Sequence, residues 1–186
     1  MSVFGCVDNT IRLRSGRYFD LANPKADQFT ERDIAGALAK ICRFGGQIER
    51  FYSVAEHSCG CAIVARNDGY GRSIVRACLL HDAAEAFVGD CVKPLKILLQ
   101  DFGKIETAIE SVIAERFGII WDVETCGIVR DIDQAMLIHE RKTLFSSDDV
   151  KWFGEDEVRK LDIVLECFPP DAAENLFLDL LGATEP

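Results

Sequence analysis

His81 and Asp82 stand side by side in the run Leu79-Leu80-His81-Asp82-Ala83-Ala84-Glu85-Ala86-Phe87-Val88-Gly89-Asp90, and two further carboxylates, Glu85 and Asp90, follow closely. An imidazole beside a carboxylate can share a proton or bind a metal ion, and additional carboxylates extend the capacity for proton transfer. On a helix that advances about 100° per residue, Glu85 lies about 40° round from His81 and about 60° from Asp82, so all three share one side. Ile74, Val75, Leu79 and Leu80 make that helix largely apolar. Ionisable groups buried on such a helix are costly unless something pairs with them, and one divalent cation satisfies them together. The alternative is a helix with a single solvated polar stripe.

The elements that must hold these residues follow from hydrophobic spacing. A helix is expected over about residues 72–87, where Ala83, Ala84 and Ala86 sustain helix propensity. Gly89 suits a left-handed cap that would turn Asp90 back past the same groups. Upstream, residues 11–14 and 17–21 alternate in period two around Ser15-Gly16 and predict a short β-hairpin. Thr30 caps a helix with Glu31 and Asp33 in its first turn and Ile34, Leu38 and Ile41 as its buried stripe, expected to close at Arg43-Phe44-Gly45-Gly46. Ser53 caps the next helix, from Val54 to about Arg66, which contains His57. Downstream, Lys93-Pro94-Leu95 opens a short segment, and Ile105, Ile109, Val112, Ile113 and Phe117 mark a helix ending at Gly118. A long helix over 123–145 carries Asp133, His139, Glu140 and Arg141. An acidic, turn-rich stretch over 146–157, with Trp152-Phe153 in its middle, precedes two more expected helices, 158–168 and 172–181, separated by Pro169-Pro170. The pattern predicts an all-α fold in one domain over 1–186, with a hairpin and arm at 1–29 and an acidic loop and helices at 146–186.

Composition agrees with that class. The 186 residues suit one domain with a real core, and 48% hydrophobic with 28% charged residues is ordinary for a globular protein. No apolar run is long enough to cross a bilayer, so no membrane partner is expected. Met1-Ser2-Val3-Phe4 lacks the basic and apolar regions of a secretion signal, and the eight cysteines include no Cys-x-x-Cys. Free thiols in a reducing cytoplasm are therefore expected. A net charge of −10 disfavours long nucleic acid, although a small anionic ligand needs only one locally positive site.

The chain has three histidines. His57, within Tyr52-Ser53-Val54-Ala55-Glu56-His57-Ser58, falls in register with Val54, Cys61 and Val64, and such a histidine is commonly a satisfied core residue. The His81-Asp82 pair changes that balance. So does Asp133, which lies four residues from both Val129 and Leu137 and hence on the inner face of its helix. Two imidazoles and two carboxylates from three helices suit a mixed nitrogen–oxygen site for a first-row divalent ion.

In this order, His57…His81-Asp82…Asp133, the sequence resembles the HD superfamily of metal-dependent phosphohydrolases. It is more similar still to the compact nucleotide-cleaving branch, the 5′-deoxynucleotidases and small phage-type dATP triphosphohydrolases. Arg43-Phe44-Gly45-Gly46, the stretches 52–58 and 80–90, and Pro94-Leu95-Lys96 carry the similarity, which ends near residue 145. The resemblance implies an HD-domain helical bundle in which His57, His81, Asp82 and Asp133 hold one divalent transition ion of the cobalt, manganese, zinc or nickel type. It also implies that Glu85 and Asp90 are catalytic rather than ligands, Glu85 orienting or deprotonating a water and Asp90 managing a proton or a sugar hydroxyl. Such an ion lowers the pKa of its bound water towards about 7 and polarises the phosphoryl group for attack.

Arg43 would offer a planar fork to phosphate, with a solvated arginine at a helix end as the alternative. Lys93 and Lys96 either bind further phosphates or are surface charges. His139 lies about 120° round the helix from Asp133 and is left out of the site. Cys61, one turn after His57, reads as core in preference to a His–Cys metal pair. The expected function is hydrolysis of the 5′-phosphate of a small (deoxy)nucleotide, by a chain expected to form a homo-oligomer. The alternative substrate chemistry is release of intact triphosphate from a deoxynucleoside triphosphate. A reading of another class is a non-catalytic metal- or nucleotide-binding module, against which the presence of Glu85 and Asp90 speaks.

Overall fold

The computed structural model describes residues 9–146, 150–152 and 154–185. The first four residues, Cys6 and the rest of the expected arm before residue 9, with 147–149 and Phe153 of the acidic stretch, lie outside the described residues. The fold is mostly helical, with one small antiparallel sheet. Strands β1 (Thr10–Arg12) and β2 (Tyr18–Asp20) pair Ile11 opposite Phe19. Gly16, at φ 85°, makes the turn. Phe19 points inward and stacks on Phe87 with ring centroids 4.0 Å apart, which seats the hairpin under the segment that carries the central motif.

Helix α1 (Glu31–Leu38) starts as expected, with Thr30 and Asp33 forming a reciprocal capping box. It ends earlier than the sequence suggests. The Arg43–Gly46 stretch is a separate 3-10 turn in which Phe44 and Gly45 take left-handed φ of 57° and 60°. Backbone pairing explains the early end: Val54 N–H donates to Ile41 (3.0 Å) and Arg43 N–H donates to Tyr52 (2.9 Å), drawing the chain onto the start of the next helix. That helix, α2 (Val54–Asn67), is capped by Ser53 and buried on nearly every side.

The helix expected over 72–87 breaks. Helix α3 (Arg72–Leu80) stops before His81, and α4 (Glu85–Val88) resumes after a turn. The His81 Nδ1–H donates to the Cys78 carbonyl at 2.7 Å, taking the acceptor that an α-helix would give to Asp82 N–H. Bonding then shifts to three-residue spacing, Ala83 to Leu80 at 3.1 Å and Glu85 to Asp82 at 3.0 Å. Gly89 is not in the left-handed helical region: φ 81° and ψ 161° place it in an extended, positive-φ conformation that only glycine adopts readily. Short α5 (Lys93–Lys96), α6 (Phe102–Phe117, ended by left-handed Gly118) and α7 (Val123–Leu144, capped by Asp122) follow the expected pattern.

Residues 158–168 form no helix. Leu161, Ile163 and Leu165 turn inward in alternation with exposed Asp162, Val164 and Glu166, a period of two rather than 3.6. Side chains of the helices satisfy this segment's backbone: Glu56 accepts from Cys167 and Phe168 N–H at 2.8 Å each, and His139 Nε2 donates to the Ile163 carbonyl at 2.8 Å. The chain closes with α8 (Pro170–Ala183), packed on α1 and α2. Among the described residues every cysteine is free, and no helix is long and apolar enough to cross a membrane.

Asp33 joins hairpin to helix, accepting from Ser15 N–H (2.8 Å) and Thr30 N–H (2.9 Å). Burial raises its carboxyl, but the bonds from Thr30 and Ser15 outweigh that and hold the pKa below 3.8. A depressed carboxyl contributes stability above its unfolded pKa and loses it as pH falls through the folded value. We therefore predict that Asp33→Asn costs about 1 kcal/mol near pH 7 by urea unfolding. The gap to the parent protein should narrow as pH falls below 3.8; a gap independent of pH would show that the charge is not what the cap uses.

Candidate metal centre

Three elements deliver the donors. His57 comes from the first turns of α2, His81 and Asp82 from the turn after α3, and Asp133 from the middle of α7. His57 Nε2 lies 3.3 Å from His81 Nε2 and 3.2 Å from Asp133 Oδ1. Asp82 Oδ2 lies 3.5 Å from His57 Nε2 and 3.3 Å from His81 Nε2. Donors about 2.0–2.1 Å from a tetrahedral metal are separated by about 3.3–3.4 Å, so these spacings already match a shared ion. Donor atoms of His57, Cys61, His81 and Asp133 all fall within 4.8 Å of one another, a group that could hold a metal ion, with His57 and Cys61 buried and His81 and Asp133 partly buried; Asp82, expected as a ligand, borders that group without belonging to it. The site opens on one side: the His57 side chain is 0% exposed, that of Asp82 25% and that of Asp133 40%.

Both imidazoles are fixed so that Nε2 faces the centre. A carbonyl only accepts, so the bond to Cys78 puts a proton on His81 Nδ1. His57 Nδ1 donates to Glu140 Oε1 at 2.6 Å. Glu140 was not singled out from the sequence, yet it is wholly buried and also accepts from Arg43 Nε at 3.1 Å. The signal was present: Glu140 lies seven residues after Asp133, two turns along the same helix face. Arg43 reaches on to Asp82 Oδ2 at 3.5 Å. It is therefore a buried, paired arginine rather than a solvated one.

The pairing sets the charges. Burial raises the Asp82, Asp133 and Glu140 carboxyls, but the neighbouring imidazoles and, for Glu140, first of all Arg43 outweigh it and hold all three below the ordinary range. Burial presses both imidazolium forms down, and Arg43 presses His57 further, but Cys61, Glu140 and Asp133 around His57 and Asp82 and Asp133 around His81 outweigh this and leave both well above 6.5. Glu85 behaves differently. Burial, with Asp82 and Asp90 nearby, pushes its carboxyl up to about 9, and its Oε2 is buried with no hydrogen-bond partner. It lies outside the donor group. Burial also raises Asp90, partly offset by Arg43.

Two cavities bear on the site, one reaching the donors and one reaching Arg43 and Asp90 but none of the donors. One, of about 480 Å³, is lined by His81 and Asp133 together with Glu110, Trp121 and Arg130. The other, of about 630 Å³, has Arg43, Asp90 and Lys93 beside an apolar wall of Phe44, Phe145 and Trp152. A larger cavity, of about 780 Å³, along Tyr70, Asp131 and Arg159 contains none of the donors. Of the two expected phosphate-binding lysines, Lys93 borders a cavity while Lys96 is held by Glu106 at 2.6 Å. His139 is committed to Ile163, away from the donors.

The chain is similar to the uncharacterized protein YfdR of Escherichia coli (strain K12), 35% identical over 142 residues that span 76% of each chain. It is similar also to the uncharacterized protein RCAP_rcc00048 of Rhodobacter capsulatus, 36% identical over 155 residues, 81% of this chain and 77% of that one. No family model matches the sequence.

Carboxylates that orient a ligating histidine typically account for 10–100-fold in metal affinity. Glu140→Gln should weaken binding of zinc or cobalt by about that factor in competition with a chromophoric chelator. His139→Ala, six residues from Asp133 but turned away, should bind as the parent does. Equal affinity in parent and Glu140→Gln would show that His57 is positioned without this carboxylate.

Proposed function

The chain belongs to the family that includes these two relatives, and we propose that it is a metal-dependent phosphohydrolase of the HD-superfamily type, acting on small (deoxy)nucleotides. The observation that carries this reading is the convergence of two imidazole nitrogens and two carboxylate oxygens beside a buried arginine and an unpartnered carboxyl. The donor set fits a divalent transition ion, held by His57, His81, Asp82 and Asp133. Such an ion would acidify a water and polarise a phosphoryl oxygen.

The chain's own residues supply the rest. Arg43 is locked by Glu140 and Asp82 yet borders the larger flanking cavity, so its remaining N–H groups are pre-set for a phosphate oxygen. Glu85 Oε2, buried and unpartnered, is the oxygen placed to hold a water or a proton. Asp90 lines the same cavity as Arg43 and is the second candidate for proton transfer. Phe44, Phe145 and Trp152 offer planar apolar surface on which a nucleobase can stack, and Lys93 adds a positive charge at the cavity wall.

The proposal predicts inorganic phosphate release from a panel of deoxynucleoside monophosphates in the presence of cobalt, manganese, zinc or nickel. Release of triphosphate from deoxynucleoside triphosphates would instead favour the related triphosphohydrolase chemistry. Glu85→Gln should retain its metal while kcat falls by about 10²–10⁴-fold. Loss of the metal in Glu85→Gln would make Glu85 a ligand. Absence of any phosphate release from metal-loaded protein over the whole panel would overturn the hydrolase reading in favour of a binding module.

A further inference from the structure

Cys61 follows His57 by one turn of α2 and is buried, at 1% exposure. Its sulfur does not face only hydrocarbon. Sγ lies 3.7 Å from His57 Nε2, the ring atom that Glu140 leaves facing the centre, and within 4.8 Å of the His81 and Asp133 donors. Metal–sulfur bonds are about 2.3 Å and metal–nitrogen bonds about 2.0–2.1 Å, so a thiolate and an imidazole about 110–120° apart on a four- or five-coordinate ion stand about 3.6–3.8 Å from each other. The observed spacing matches that figure as closely as the imidazole and carboxylate spacings match theirs.

We propose that Cys61 is a further protein ligand of this centre, adding a thiolate to the two imidazoles and the carboxylates. The inference rests on the metal-centre reading above and extends it to the kind of ion. Binding breaks the S–H bond, forms a sulfur–metal bond and releases one proton to solvent. A soft sulfur donor favours zinc and cobalt over manganese and magnesium, which an all-nitrogen-and-oxygen set would not discriminate in the same way. Cys59 is the internal control. It is equally buried, at 1%, on the same helix, but two residues from His57 and therefore on another face, outside the donor group.

The test is the absorption spectrum of the cobalt(II)-loaded full chain. A cobalt–thiolate bond gives an intense near-ultraviolet charge-transfer band, which nitrogen and oxygen ligands do not. The band should appear with a stoichiometry of one ion per chain, persist in Cys59→Ala and vanish in Cys61→Ala and Cys61→Ser. The same two Cys61 variants should lose about tenfold or more in zinc affinity while manganese affinity changes less. Cobalt bound at one per chain by the parent protein without the band overturns the thiolate and leaves the metal centre standing. Failure of cobalt, zinc and manganese alike to bind overturns the centre itself. A band that persists in Cys61→Ala and Cys61→Ser places the thiolate on another cysteine and overturns the assignment to Cys61.

Discussion

The site depends on one buried carboxylate. Glu140 has no exposed surface, and it is tolerated there because it is paired twice, with the His57 imidazole and with the Arg43 guanidinium. Stripping one partner from a buried ion pair typically costs about 3–5 kcal/mol, since the remaining charge is left without solvent or counterion. That penalty ties together three pieces of chain that are far apart in sequence: the turn at Arg43–Gly46, the start of α2 and the end of α7. Arg43 carries the connection on to Asp82, and Asp133 lies two turns before Glu140 on the same helix. Once Glu140 is satisfied, the donors have little freedom to be elsewhere.

Helix α2 provides the frame in which this happens. It has almost no solvent face, so its two buried ionisable side chains, Glu56 and His57, are partnered by neighbouring elements, while the Ser58 hydroxyl is buried without a hydrogen bond. His57 finds Glu140, and Glu56 finds the amides of Cys167 and Phe168, which is why the extended segment wraps along this helix. Burial raises the Glu56 carboxyl despite those bonds. The approach of α2 to α7 is close enough that a Cβ on Gly60 would lie 2.6 Å from Met136 Cε.

Much of this was legible in the sequence, for identifiable reasons. Thr30, Ser53 and Gly118 marked helix ends because capping is local chemistry, settled within a few residues. His57, His81, Asp82 and Asp133 stood out because ionisable groups on apolar faces demand partners. What escaped was decided by contacts distant in sequence or by competition. The break after Leu80 arises from the His81 ring capturing the Cys78 carbonyl, which propensity cannot register. The extended 158–168 segment was signalled by the alternation of Leu161, Ile163 and Leu165, which is too short to stand out without knowing that Glu56 and His139 would satisfy its backbone. Glu140 was overshadowed by its neighbour His139, although only the carboxylate shares the face of Asp133. Cys61 reads as core from its register, and it is buried, but its sulfur also faces His57.

The central claim is that these side chains form a centre for one divalent ion, and anomalous diffraction from metal-soaked crystals tests it most directly. Data on either side of the zinc or cobalt absorption edge should give a single strong anomalous peak per chain. The account predicts that peak about 2.0–2.2 Å from His57 Nε2, His81 Nε2 and an oxygen of Asp133. A peak elsewhere, or none at this position at saturating metal, would contradict it.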